Sequence, residues 1–286
     1  MTRYRMLAVD VDGTLVGADH RVSPAHAEAM RAAKGAGLTV CLCTGRSVGE
    51  TQPVWQECNL PAPADPLICI GGAIICESDT RRTLHINPLD RANALAAADL
   101  LASLGYCVVA LVDRWRWGFD YYLTEGGDSQ GIWRDWFGKH ECKVRPVGRL
   151  SDAPDPAELL RLTVLAQPEQ APDVESAVRE KFHGKLEIVR IFAPNYGIQV
   201  IECFGANVTK WSGVTYVSQG LRIAPRDVVT VGDDVNDLPM LQKAGLGVAM
   251  GNAPEQVKSV ARHAIGRHDE DGLAKFIEEL LAGKYD

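Results

Sequence analysis

Short apolar runs that end in acid set the rhythm of this chain. Met6 to Val9 is wholly apolar and feeds into D-V-D-G-T-L, Asp10 to Leu15, where two carboxylates flank one residue and a turn glycine, Gly13, follows. After Ser23, an N-cap residue, Pro24 takes the first helical position of a predicted Ala-rich helix that stops at Gly35 to Gly37. Leu38 to Cys43 then reads as a second strand, parallel to the first because a helix separates them. Its end carries Thr44, Gly45, Arg46 and Ser47, and Pro53 falls early in the next helix or kinks it. Leu67 to Ile70 is a third strand, Gly71 and Gly72 permit a tight turn or a close backbone approach, and Ala73 to Cys76 with Thr83 to Ile86 read as a hairpin.

From Pro88 the pattern changes. A long helix carrying Leu89, Leu95, Leu100, Leu101 and Leu104 ends at Gly105. Strands are predicted at Tyr106 to Val112, Phe119 to Thr124, Leu159 to Ala166, Leu186 to Phe192 and Ile198 to Cys203, with a helix from Pro172 to about His183. The run 193–197 is a hairpin signal, and the Pro-containing, charged stretch 141–156 reads as a loop. Strands joined this closely are antiparallel. After Gly205 the first pattern resumes: a helix containing Lys210, a strand at Val228 to Val231, a helix from Leu238, a strand at Val248 to Met250, a helix from about Pro254, and a terminal helix with apolar positions 273, 276, 277, 280 and 281. The expected fold is α/β. Residues 1–85 and 204–286 make a Rossmann-like doubly wound core with a parallel sheet, and residues 86–203 form an inserted α+β domain with an antiparallel sheet plus helices.

Composition narrows the range of functions. At 286 residues the chain can bury ample core without staples, and a net charge of −7 with no sustained Lys/Arg run argues against nucleic-acid or anionic-membrane partners. A local basic pocket for a small anion stays compatible with that charge. The eight Cys are scattered, without C-x-x-C or metal-type spacing, and read as reduced core thiols. Only four apolar residues precede Asp10, too few for a signal-peptide core, and no stretch reaches the roughly 18 apolar residues of a membrane span. A soluble, cytoplasmic protein is the expectation, with oligomeric state left open.

Two ionised Asp separated by one residue repel, so burying both calls for a cation or a shared proton. The strand Val228 to Val231 repeats the situation, ending in G-D-D-V-N-D, Gly232 to Asp237. If the strands bearing Asp10 and Asp233 are neighbours, their tips supply the oxygen ligands that a hard cation such as Mg²⁺ takes. Helix capping accounts for Asn236 or Asp237 but not for the whole cluster, and it competes with an anion-binding role for Ser47. In doubly wound sheets ligands lie outside such strand ends, which adds Thr44 and Gly45 to the candidates. Trp115 and Trp117 share a face if their strand continues, either stacking on a sugar ring or packing onto helices. Trp133 and Trp136, at helical spacing, read as core, and the seven His form no ligand-like cluster.

The ordered set D-V-D-G-T-L at Asp10, T-G-R at Thr44, a lysine after the insertion at Lys210, and G-D-D-V-N-D followed by P-M-L resembles the haloacid dehalogenase superfamily. The position and size of the insertion resemble its Cof-type, subfamily IIB sugar-phosphate phosphatases, as do Gly247 to Glu255 and D-G-L at Asp271. The resemblance implies an Mg²⁺-dependent phosphatase acting on a small phosphorylated metabolite, a sugar phosphate foremost, with the insertion as a specificity cap. It implies Asp10 as nucleophile and Asp12 as general acid and base. Mg²⁺ would be held by Asp10, the backbone carbonyl of Asp12 and Asp233, steadied by Asp237. Thr44, Gly45, Lys210 and Asn236 would bind the phosphate oxygens, with Lys210 also counted among the catalytic groups. One departure is Gly71-Gly72-Ala73 where the family usually has Asn-Gly-Ala. Two other functions fit the same residues: a phosphomutase, which would release little inorganic phosphate, and a non-catalytic phosphometabolite sensor, which would show no turnover on a broad ester panel.

Overall fold

The first strand, β1 (Met6–Val9), has all four side chains buried, as a strand flanked on both sides in a parallel sheet must. The computed structural model describes residues 2–127, 130–139, 142–154, 157–193 and 196–286. After β1 the chain forms α1 (Pro24–Gly35), capped by the Ser23 side chain, then β2 (Thr39–Leu42) and α2 (Val48–Cys58). Ser47 caps α2 in a reciprocal box with Glu50, and Pro53 is accommodated inside the helix. Next come β3 (Leu67–Cys69), β4 (Ile74–Cys76) and β5 (Thr83–Ile86) in a three-stranded sheet. The third strand meets the residues just after β2 through a parallel bridge between Cys43 and Ile68, and pairs antiparallel with β4. The predicted hairpin is thus present as β4 and β5, and β3 adds a third strand to it.

Contacts divide the chain into two compact units, Met1–Leu84 with Thr209–Asp286, and His85–Val208. The second unit runs α3 (Arg91–Ser103), β6 (Val109–Leu111), α4 (Arg114–Trp117), β7 (Tyr121–Thr124), α5 (Gln130–Lys139), β8 (Val144–Val147), β9 (Arg161–Ala166), α6 (Ala171–Lys181), β10 (Leu186–Ala193) and β11 (Ile198–Gly205). Its six-stranded sheet has the order β10-β11-β9-β6-β7-β8, antiparallel except for the parallel pair β7/β8. Leu101, Val108, Ala110, Tyr122, Leu162, Val164, Val178 and Ile201 belong to one core between this sheet and its helices. A buried ion pair, Arg161 to Glu202 at 2.7 Å, links β9 to β11.

Two sequence expectations fail here. The stretch predicted as a loop contains β8, whose parallel pairing with β7 is possible because α5 supplies the crossover; residues 141 and 155–156 of that stretch lie outside the described residues. The Trp115 to Trp117 segment is a helical turn, not a strand: Asp113 Oδ1 accepts from the Trp115 amide, and Gly118 at φ +75° closes it. Trp117 packs against the core of the unit and donates to Glu158, whereas Trp115 is 58% exposed. Trp133 is fully buried, as predicted, whereas Trp136, also predicted as core, is half-buried and stacks on it. Of the hairpin run 193–197, residues 194–195 lie outside the described residues; β10 and β11 on either side pair antiparallel.

The chain then builds α7 (Lys210–Gly220), β12 (Val228–Gly232), α8 (Leu238–Lys243), β13 (Leu246–Ala249), α9 (Glu255–Lys258), β14 (His263–Ala264) and α10 (Gly272–Leu281). The sheet of the first unit has the order β14-β13-β12-β1-β2, all parallel. Leu273, Phe276, Ile277 and Leu280 form the buried stripe of α10. None of the eight Cys is in a disulfide, and every one except the half-buried Cys142 is buried. Among the described residues no helix is long and apolar enough to cross a membrane.

Candidate functional site

The site forms where β1, β2 and β12 end. Parallel pairing sets Val9 level with both Leu42 and Val231, and the Asp10 amide donates to the Val231 carbonyl at 2.9 Å. Asp10, Cys43 and Gly232 therefore leave the sheet side by side, and Thr44 and Asp233 follow on either flank. Asp10 is only 4% exposed.

Lys210 reaches this point from the first turn of α7. Thr209 caps that helix through its hydroxyl, which fixes where Lys210 starts, and the lysine is 2% exposed. Its Nζ donates to Asp10 Oδ1 at 2.6 Å, to Asp237 Oδ1 at 2.7 Å and to Asn236 Oδ1 at 3.2 Å. Burial alone would lower the pKa of Lys210, but Asp10 and Asp237 outweigh it and hold the ammonium well above its usual range. Burial first, and then Asp237, push the Asp10 carboxyl well up despite Lys210.

Asp237 is held on all sides. Its Oδ2 accepts from the amides of Asp233 at 2.9 Å and Asp234 at 3.1 Å, so it shapes the turn after β12 as well as facing Lys210. Asp233 is fixed by neutral donors: Thr14 Oγ1 at 3.0 Å on Oδ1 and Asn252 Nδ2 at 3.1 Å on Oδ2. Asn252 also donates to the Gly13 carbonyl at 2.8 Å and accepts from the His268 amide at 3.2 Å. Burial, then Asp237, raise the Asp233 carboxyl to about 7. Two glycines make room for these acids. A Cβ on Gly13, itself at φ +73°, would lie 2.2 Å from Asp233 Oδ2, and one on Gly232 would lie 2.4 Å from Asp237 Cγ.

The donor set fits a hard divalent cation. Asp10, Asp233 and Asp237 each offer an oxygen within 4.8 Å of the others, the one such group among the described residues. One ammonium faces three carboxylates, and the two that it touches are Asp10 and Asp237, so negative charge is in excess. All three candidate donors are carboxylate oxygens, with no His or Cys among them.

The predicted residues do not all converge. Asp10, Lys210, Asp233, Asn236 and Asp237 are gathered by direct contacts or proximity. Thr44 and Gly45 stand on the neighbouring strand tip, where the buried Thr44 donates its amide to Ile68 O and accepts from the Arg46 amide at 3.1 Å through its hydroxyl. The Asp12 carboxylate is outside the acid group and pairs with Arg46. Ser47 takes the capping alternative. At the departure itself Gly71 stands at φ +60° and donates its amide to the Thr44 carbonyl; the next residue, Gly72, where this chain agrees with the family, lies at φ +96° where a Cβ would come within 2.1 Å of Thr209 O.

Sequence reasoning passed over Thr14, Asn252 and His20, and used Arg46 only as part of a motif. Thr14 and Asn252 carried a signal, since they lie within the motif runs Asp10 to Leu15 and Gly247 to Glu255. His20, isolated in sequence, carried none.

A model of the haloacid dehalogenase-like hydrolases matches residues 7–277. The chain is 27% identical over 285 residues to the putative phosphatase YxeH of Bacillus subtilis, covering 98% of this chain and 100% of that protein. It is 28% identical to the pyridoxal phosphate phosphatase YbhA of Escherichia coli, covering 97% and 98%. A solved structure described as the HAD subclass IIB sugar phosphatase BT4131 superimposes with a TM-score of 0.77 at 21% identity, covering 96% of this chain and 98% of that one.

Proposed function

Because the chain belongs to the haloacid dehalogenase-like hydrolases and resembles phosphatases among them, we propose that it is a phosphatase of their Cof-type, subfamily IIB kind, which hydrolyses the phosphate ester of a small metabolite, a sugar phosphate foremost, with Mg²⁺. The observation that carries this reading is the buried group Asp10, Asp233 and Asp237, three carboxylates against one lysine at the ends of adjacent strands. Bound there, Mg²⁺ would supply positive charge against the repulsion between a carboxylate nucleophile and a phosphate dianion. The ligands would be Asp10, Asp233 and the Asp12 carbonyl, with Asp237 orienting them through Lys210 and the Asp233 amide.

In the first step an Asp10 oxygen attacks phosphorus and the bond to the ester oxygen breaks, while Asp12 gives that oxygen its proton. In the second, Asp12 takes a proton from water, the water oxygen bonds to phosphorus, and the bond to Asp10 breaks, releasing inorganic phosphate. Asp10 Oδ1 is already engaged by Lys210, and among the described residues no hydrogen bond engages Oδ2, which favours Oδ2 as the attacking atom. Lys210, Asn236, the Thr44 hydroxyl and the Gly45 amide would hold the phosphate oxygens, where positioning and charge do most of the work.

A phosphate-release screen over sugar, nucleotide and cofactor phosphates, with Mg²⁺ and with chelator, tests the reading. Release is expected only with the metal, and Asp10→Asn should lower it by at least about a thousandfold, the loss of a nucleophile. Metal-independent release, or full activity in Asp10→Asn, rules it out.

A further inference from the structure

Asp12 has a cation of its own. Arg46 grips it as a two-point fork, Nε donating to Oδ2 at 2.9 Å and Nη2 to Oδ1 at 2.5 Å. The same Nη2 donates to His20 Nδ1 at 3.0 Å. A guanidinium has no acceptor, so Nδ1 must accept and the imidazole hydrogen sits on Nε2. With that lone pair turned to Arg46, His20 does not donate to Asp12 3.7 Å away; it braces the guanidinium instead.

The brace is anchored from both sides. The Arg46 amide donates to Thr44 Oγ1 and its carbonyl accepts from the Ile70 amide at 2.9 Å, so its backbone is tied to the tip of β2. His20 stands at φ +57°, a left-handed conformation that is uncommon outside glycine and collects where function holds it. The Arg46 side chain is mostly buried, whereas that of Asp12 is 51% exposed. The fork fixes a solvent-facing carboxylate from the protein side and occupies one lone pair on each oxygen, leaving the others for a reacting proton.

We propose that Arg46, braced by His20, is a positioning residue that sets the plane in which Asp12 exchanges protons with the ester oxygen and then with water. This rests on the role given to Asp12 above. A bidentate pair fixes both the direction and the tilt of a carboxylate, and proton transfer to a departing oxygen is sensitive to misplacement by about an ångström.

Phenyl and p-nitrophenyl phosphate separate the possibilities, because the two esters are alike in shape and only the first needs its leaving oxygen protonated. The constant kcat/KM covers the steps up to departure of the leaving group. Arg46→Ala is expected to lower kcat/KM for phenyl phosphate about tenfold more than for p-nitrophenyl phosphate, a part of the full general-acid effect. Arg46→Lys, which keeps charge but loses the fork, should recover little of the difference, and His20→Ala should shift it the same way by less. Equal losses on both esters, or a change confined to KM, overturn the proposal in favour of a structural or substrate-binding arginine. If Arg46→Ala does not fold, the same comparison in Arg46→Lys and His20→Ala decides. Asp12→Asn is the control. Should it show no leaving-group dependence, the role of Asp12 itself fails; should it show one that the Arg46 and His20 variants lack, only the present inference fails.

Discussion

Asp233 concentrates the electrostatics of the site. Thr14 and Asn252 orient it without neutralising it, and burial raises its carboxyl from 3.8 to about 7. Between those pH values the metal-free folded chain binds more protons than the unfolded one, so its stability falls as pH rises across the window. The contribution is fully present below the unfolded value and lost as pH passes through the folded one; Asp10, raised well above its usual range for the same reasons, acts in the same direction. A divalent cation bound to the ionised acids reverses the penalty by mass action, and protons compete with it. The rise in Tm on adding millimolar Mg²⁺ should therefore be larger near pH 7.5 than near pH 5.5, and Asp233→Asn should remove most of the difference. Thermal melts with and without chelator check this; an equal Mg²⁺ shift at both pH values sinks the metal assignment.

At the scale of the element, the site depends on strands that stop in the right place and on turns too tight for a side chain. The acidic tips were legible because an apolar run ending in carboxylates has few structural reasons to exist, and the 3.6-residue stripe of α10 was legible because burial follows it at Leu273, Phe276, Ile277 and Leu280, fading only at the half-buried Leu281. Arg46 on Asp12 was not legible, since a fork between residues 34 positions apart leaves no periodic trace. The helical turn at Arg114 was legible but read wrongly: Asp113 before it and Gly118 after it are cap residues, and they outweigh the strand propensity of alternating tryptophans. Likewise β8 lies hidden in a stretch with proline and charge because its side chains are only partly buried at a sheet edge. Gly232 gives the sharpest test at this scale, for it is the last residue of a fully buried strand and abuts the Asp237 carboxylate. Gly232→Ala should displace Asp237, destabilise by about 1–3 kcal/mol through overpacking and lower phosphate release at least about tenfold through the disturbed ligand set. Denaturant unfolding and the release assay on one preparation measure both; wild-type activity in a folded Gly232→Ala would show that Asp237 does not hold the site.

For the molecule as a whole, the order of the strands sets a problem of assembly. The central pair of the first unit, β1 and β12, joins residues 6–9 to 228–231, and every residue of the second unit lies between them in the chain. The second unit is continuous, and its pairs β6/β7, β10/β11 and β9/β11 close over short separations. Closing a long loop costs entropy before the contact it permits can repay it, so local pairings form first. An inserted unit that folds early shortens the effective loop and brings the two halves of the first sheet within reach. Amide protection during refolding should therefore appear in β10 and β11 before it appears in β1 and β12. Pulse-labelled hydrogen exchange read by mass spectrometry resolves the order. Protection of β1 and β12 at or before that of β10 and β11 would mean that the core sheet nucleates across the insertion, and that the separation of Asp10 from Asp233 in sequence imposes no kinetic delay on building the site.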